Sequence, residues 1–353
     1  MNIKSYLFWG NKLMKKISIK MQLKLWFMVL AASMIALQFS CKDNGVEPVL
    51  PSDTTWTFLG LKGETINSMA IDPTDPDIIY VSGFRKLLKT TDGGNTWDSL
   101  YPTGFFSMAI DPRNPETVYG GLGGISKSTD GGHTWKSSSE GIIDPGFQSV
   151  RVLEIDPENS NILYTGTTGL SGGAFYKSVD AGSSWTVKNT NSILSMAIDP
   201  TNSSIIYIGG DGVFKSTDAG ENWTIMGRPS VYIPAIVVDP KNSTKIIAGC
   251  GWKDGSLFKS ENGGESWETF AEGIPDISNV MRLASRQSNS DLYAVVINTE
   301  GGGIYRRQNS DTQWQKIGID SVEVLDYYND VKIDPNERYL YFGSSGVFRL
   351  KIN

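Results

Sequence analysis

Two kinds of apolar run stand out along this chain. The first is a stretch broken only by Ser33 and Gln38, Leu25 to Phe39, in a forty-residue segment that carries six lysines and no acidic residue. Its 15 residues fall short of the roughly 20 apolar residues that a spanning helix needs. The second kind begins near residue 55 and recurs to the C-terminus as short β-rich runs. Examples are Ile78-Ile-Tyr-Val81, Ile205-Ile-Tyr-Ile208 and Gly346-Val-Phe-Arg-Leu350. Gly, Asp, Asn and Pro punctuate them, as in tight turns. Helical periodicity is absent from 55 to 353, so the pattern predicts strands throughout this part.

Two motifs set the beat of these runs. One is an octad, Ser/Thr-x-Asp-x-Gly-x-Thr/Ser-Trp. It occurs as Thr90-Thr-Asp92-Gly-Gly94-Asn-Thr96-Trp97, Ser128-Thr-Asp130-Gly-Gly132-His-Thr134-Trp135 and Ser178-Val-Asp180-Ala-Gly182-Ser-Ser184-Trp185. A fourth copy, Ser216 to Trp223, is built on Asp218, a fifth, Ser260 to Trp267, has Asn262 in place of Asp, and a sixth keeps little beyond Trp314. Their tryptophans step by 38, 50, 38, 44 and 47 residues. The other motif is Ile/Val-Asp-Pro, at Asp72, Asp111, Asp156, Asp199, Asp239 and Asp334. The sixth unit has Leu283-Ala-Ser-Arg286 instead and does not align uniquely. Each unit reads as four short strands, and four strands per 40–45 residues is the period of propeller blades.

Seven tryptophans keep the register: Trp56, Trp97, Trp135, Trp185, Trp223, Trp267 and Trp314. Trp56 opens a strand with no octad before it, while Gly346–Leu350 is a pre-octad strand with no tryptophan strand after it. The two ends complement each other. The expected fold is therefore all-β, a seven-bladed β-propeller of four-stranded blades, closed by pairing the N-terminal strand with the last blade. Such closure removes exposed sheet edges.

The octad resembles the Asp-box, or BNR repeat, of sialidases, xyloglucan-type glycosidases, sortilin-like proteins and photosystem II stability and assembly-factor-like propellers. The resemblance covers 55–353 and implies a propeller with the box at the blade periphery. Proteins of many activities carry this motif, so it implies no particular one. An array of carboxylates at Asp92, Asp130, Asp180 and Asp218 would suggest acid catalysis or metal binding. Turn chemistry offers a simpler account: an Asp beside Gly in a tight hairpin accepts its own turn's N–H groups. Asn262 can do the same but cannot replace a charged catalyst. These five residues are read as structural, with no metal and no cofactor expected.

Alternating strand direction places the octads and the Ile-Asp-Pro turns on one face and the irregular loops on the other. Irregular loops on a rigid scaffold are where binding sits. The candidates there are Trp252, the one tryptophan past residue 55 outside the repeat register, with Arg85, Arg151, Arg228, Tyr232, Tyr327 and Tyr328. Aromatic rings can stack on a sugar or seat an apolar anchor, and arginines can hold carboxylates. Arg282 belongs to the same group. Sialidases carry an Arg-Ile-Pro element near the propeller's start, and nothing like it lies between 54 and 100. Xyloglucanase-like enzymes place an Asp-Ile-Gly-Gly after the first Ile-Tyr strand, where this chain has Val81-Ser-Gly-Phe-Arg-Lys86. They are also built of two propellers, and these repeats supply one.

The leader and the charge complete the picture. A basic start, an apolar run and Ser40 before Cys41 describe a secretory signal over 1–40. Leu37-Gln-Phe-Ser-Cys41 resembles a bacterial lipoprotein cleavage site, which implies lipidation of Cys41; otherwise Cys41 is a mature thiol behind an ordinary signal. Residues 41–54 are polar and contain proline, as in a tether. The 353-residue chain has formal charge −6. Without the leader it keeps 26 basic against 38 acidic residues, or −12. That argues against nucleic acid as partner. One histidine, His133, cannot build a His-rich zinc site. The expectation is a monomeric lipoprotein of the bacterial outer membrane or cell surface, or else a periplasmic or secreted protein. It would touch the membrane only through its lipid and bind a protein or carbohydrate without transforming it. The alternative is a glycoside hydrolase acting on extracellular polysaccharide.

Overall fold

The computed structural model describes residues 55–142, 148–169, 172–227, 232–251, 257–276, 278–298, 302–320 and 330–352. Among these residues there is no helix, and the strands form seven antiparallel four-stranded sheets. Blades 1 to 6 cover residues 66–101, 107–137, 148–189, 195–225, 235–269 and 279–320. Blade 7 takes three strands from residues 330–351 and its outermost from Trp56–Phe58. Trp56 lies opposite Leu350 and Phe58 opposite Phe348, so the chain's two ends close the ring as expected.

Within a sheet, the strand before the Ile-Asp-Pro turn is innermost and the tryptophan strand outermost. A blade therefore starts one strand later than the sequence unit counted from its tryptophan, which is why an orphan Trp56 strand is left to complete blade 7. The inner strands of neighbouring blades touch all around the ring. Seven apolar clusters fill the seven seams between blades. Tryptophan indoles reinforce the seams: Trp97 Nε1 donates to Leu59 O, Trp185 to Ser138 O, Trp267 to Met226 O and Trp314 to Phe270 O. Trp56 does the same across the closure, donating to Ile317 O at 2.9 Å. Cys250 is buried in the cluster between blades 4 and 5.

The sixth unit now aligns. Arg286 stands where the other units place the motif aspartate, since its N–H reaches Asp291 O as Asp156 N–H reaches Ile162 O. Its guanidinium pairs with Glu337 of blade 7 at 3.2 Å. A cross-blade ion pair replaces the carboxylate-capped turn.

Candidate functional site

The octads are built the same way in every regular copy. The hydroxyl of Thr90 donates to Asp92 Oδ1 and accepts from the N–H of Gly94, while Asp92 accepts the N–H and the hydroxyl of Thr96. Asp130, Asp180 and Asp218 repeat this pattern with Thr134, Ser184 and Asn222. The residue after the aspartate must take a left-handed conformation, which Gly93 and Gly131 adopt freely and Ala181 and Ala219 adopt at φ 54° and 57°. Hydrogen bonds from Thr96 and Thr90 hold the Asp92 carboxyl down to about 2; Asp180 and Asp218 are lowered alike, and Asp130 further still. Asn262 preserves the frame, accepting Ser266 N–H through Oδ1 and donating to its hydroxyl through Nδ2. These carboxylates are spent on their own turns. Among the described residues no three His, Cys, Asp or Glu side chains are grouped to hold a metal.

The aspartates of the second motif cap their turns, and Asp111, Asp199 and Asp239 also reach the next blade. Asp111 Oδ1 accepts the N–H of Arg113 and the hydroxyl of Ser160, and Asp239 accepts that of Ser290. The face that carries both motifs is thus occupied by structural polar contacts.

The other end of the inner strands is different. They enclose a channel whose irregular-face half holds a cavity of about 140 Å³, lined from all seven blades. A second cavity, about 300 Å³, opens toward the Ile-Asp-Pro turns and is ringed by Pro73, Pro112, Pro157 and Pro335. Three inner strands carry a β-bulge at the irregular-face end. The register shifts between Ile66 and Ser68, between Val150 and Val152, and between Val280 and Arg282, so the extra residues are Asn67, Arg151 and Met281. Bulges re-aim side chains and are frequent beside functional sites. All three residues line a narrow pocket of about 10 Å³ at the mouth, together with Phe106, Leu194, Tyr232, Pro234 and Arg282; of these, all but Tyr232 and Met281 also line the larger cavity.

Charge is held here without local satisfaction. The Arg282 guanidinium donates to Met281 O at 2.8 Å and makes no ion pair among the described residues. Enclosure by the channel wall lowers its hold on its proton, the nearby like charge of Arg151 adds to this, and Asp330 opposes it. It remains a cation, as arginine does in proteins. Arg151 lies over the Phe106 ring at 5.9 Å. Asp330 is committed elsewhere, accepting the N–H groups of Met69 and Val331, which ties blade 7 to blade 1 beside the strand closure. Deeper in the channel, burial pushes the Glu154 carboxyl up, with Lys332 opposing and Asp330 adding to the shift. Asn67, 4 % exposed, donates to Gly83 O at 3.3 Å, and its buried Oδ1 has no donor.

Of the residues proposed from sequence, Arg151, Tyr232 and Arg282 meet at this mouth. Arg85 is exposed on the same face, stacked on Phe84, and does not line the cavity. Trp252, Arg228, Tyr327, Tyr328 and Cys41, with the leader and the tether to residue 54, lie outside the described residues. The sequence reading missed Asn67. A signal existed: five positions before the motif aspartate, or Arg286, the chain has Asn67, Phe106, Arg151, Leu194, Pro234 and Met281, the rim of the mouth.

No protein-family model matches the chain. Over 292 residues it is 26% identical to a xyloglucanase of Hypocrea jecorina, a match covering 77% of this chain and 32% of the relative. It thus spans about a third of the length of that curated relative. The GH74 enzyme of Niastella koreensis superposes with TM-score 0.59 at 22% identity, over 79% of this chain and 50% of that one. A structure of YCF48 bound to D1 peptide superposes with TM-score 0.59 at 16% identity, over 88% of this chain and all of the other. What they share with this chain is the fold. These propellers accompany both an enzyme class and a peptide complex, so the decision about function falls on the mouth of the channel.

Proposed function

We propose that this protein is an exported, envelope-anchored propeller that binds a glycan or a protein on its irregular-loop face without transforming it. The observation that carries this reading is the bulge-built mouth, where Asn67, Arg151 and Arg282 are turned into a cavity that the fold itself does not need. The octad and Ile-Asp-Pro carboxylates are engaged in turns and seams, which leaves them no part in catalysis. Export and anchoring at Cys41 draw on the basic leader, its apolar run and the cysteine that follows.

The test is a glycan array and a peptide array probed with the purified protein and with variants of each face. Binding should fall when Phe106 or Tyr232 is replaced by alanine and persist when His133 or Asn95, on the octad face, is replaced. Binding that ignores the irregular face, or none on either array, overturns the reading.

A glycoside hydrolase is the second reading. It draws on the likeness to the xyloglucanase and on two carboxyls in one channel, Glu154, pushed up by burial, and Asp330. Groups held in such different settings can divide acid and base roles. Sugar release from a polysaccharide panel, abolished by Glu154→Gln, would favour it.

A further inference from the structure

We propose that the mouth of the channel is a carboxylate seat, in which Arg151 and Arg282 together hold the acid group of a single uronic acid residue. This deepens the binding reading above and rests on it. Two guanidiniums line one cavity, with Glu154 and Asp330 farther along it, and among the described residues neither guanidinium has a carboxylate ion-pair partner. An enclosed cation that lacks a direct ion pair is costly, Asp330 offsets the Arg282 charge only from a distance, and the like charge of Arg151 adds to the cost. A fold gains nothing from such a pair, whereas a ligand carboxylate would relieve both charges through bidentate hydrogen bonds. Asp330, the neighbouring acid, is already bound to two backbone N–H groups.

The other walls narrow the ligand class. Asn67 Oδ1 is a buried acceptor that lacks a donor, and a sugar hydroxyl beside the acid group would supply one. Phe106, Leu194 and Pro234 form an apolar collar suited to the C–H face of a ring. A cavity of about 140 Å³ takes one ring rather than a chain lying across it. A uronate also presents acid and hydroxyl on one rigid frame, with little conformational freedom to lose, unlike a flexible peptide end. Because the protein as a whole is acidic, the basic mouth selects anions locally rather than by net charge.

The experiment titrates galacturonate and glucuronate into the purified protein, followed by NMR or calorimetry. Galactose, glucose and the methyl ester of galacturonic acid run beside them, and so does a dipeptide with a free or amidated C-terminus. Uronates should bind, more weakly as salt rises, while neutral sugars and the ester should not. Arg282→Met and Arg151→Gln should each weaken binding about tenfold or more. Arg282→Met should also leave the melting temperature unchanged or raised, because it removes a half-buried charge that has no ion pair among the described residues; a merely structural arginine would lower it. Equal binding of acidic and neutral sugars, or unchanged affinity in both variants, overturns the seat. Binding of the free dipeptide without binding of uronates overturns it in favour of a peptide carboxylate. If uronates fail while array binding at the irregular face persists, the seat falls and the broader binding reading stands.

Discussion

The rim and the channel of this propeller use charged residues in opposite ways. At the rim, each octad aspartate is surrounded by donors from its own eight residues, and the arrangement is copied from blade to blade. In the channel, Arg151 and Glu154 of blade 3 and Arg282 of blade 6 find few local partners. Repetition marks charge that serves the fold. Charge that breaks the repeat and stays unsatisfied marks a place where something else is expected to complete it.

Four experiments would break or sharpen that contrast. The largest effect belongs to the seam that both regions depend on. Trp56→Ala removes an indole that is 7 % exposed and its bond to Ile317 O. It should cost about 3–5 kcal/mol in urea unfolding; a loss near zero would mean that the strand closure does not hold the ring. Next, Asp92→Ala should lower the melting temperature, whereas Asp92→Asn should nearly preserve it, since Asn262 already performs the same task in blade 5. Equal losses would show that the rim needs negative charge after all.

In the channel the sign reverses. The Glu154 carboxyl is raised, so its ionisation works against the folded state. The stability linked to it is present below its unfolded value, about 4.3, and declines as pH rises through the raised folded value. Glu154→Gln should therefore stabilise the protein, more at pH 8 than at pH 5, as followed by thermal unfolding. The smallest effect is at the rim. The Asp92, Asp180 and Asp218 carboxyls are held near 2, so their stabilisation is complete above the ordinary carboxylate range and fades as pH falls through about 2. Side-chain carboxyl NMR shifts should stay flat down to about pH 3; titration near 4 would contradict the hydrogen-bond pattern.

The ring was legible because its units repeat: Trp56 without an octad and Gly346–Leu350 without a tryptophan strand already implied a shared blade. The sixth unit was not, because Arg286 keeps the backbone turn of the motif while discarding its residues. The mouth was only half legible. Arg151 and Tyr232 stood out by residue type and loop position, but the bulges depend on which residues pair across strands, and Asn67, Arg151 and Met281 have no chemistry in common. Arg282 stood out too, and its place in the repeat sharpens it. Four positions before the motif aspartate the chain places Ser68, Ser107, Val152, Ser195, Ala235 and Asp330, and the arginine is the longest side chain in that row.

The sharing of blade 7 between Trp56–Phe58 and the strands of residues 330–351 also governs the order of assembly. A chain emerging from its N-terminus can form six blades in succession, yet the strand Trp56–Phe58 must wait for Val347–Lys351, about 290 residues later. Until then the ring stays open, with the edge of Trp56–Phe58 unpaired and the flank of blade 1 uncovered. The strand Val347–Lys351 acts as a completion signal: a copy truncated within it leaves Trp56–Phe58 without a partner, and so exposes both sides of the unclosed blade to aggregation or proteolysis.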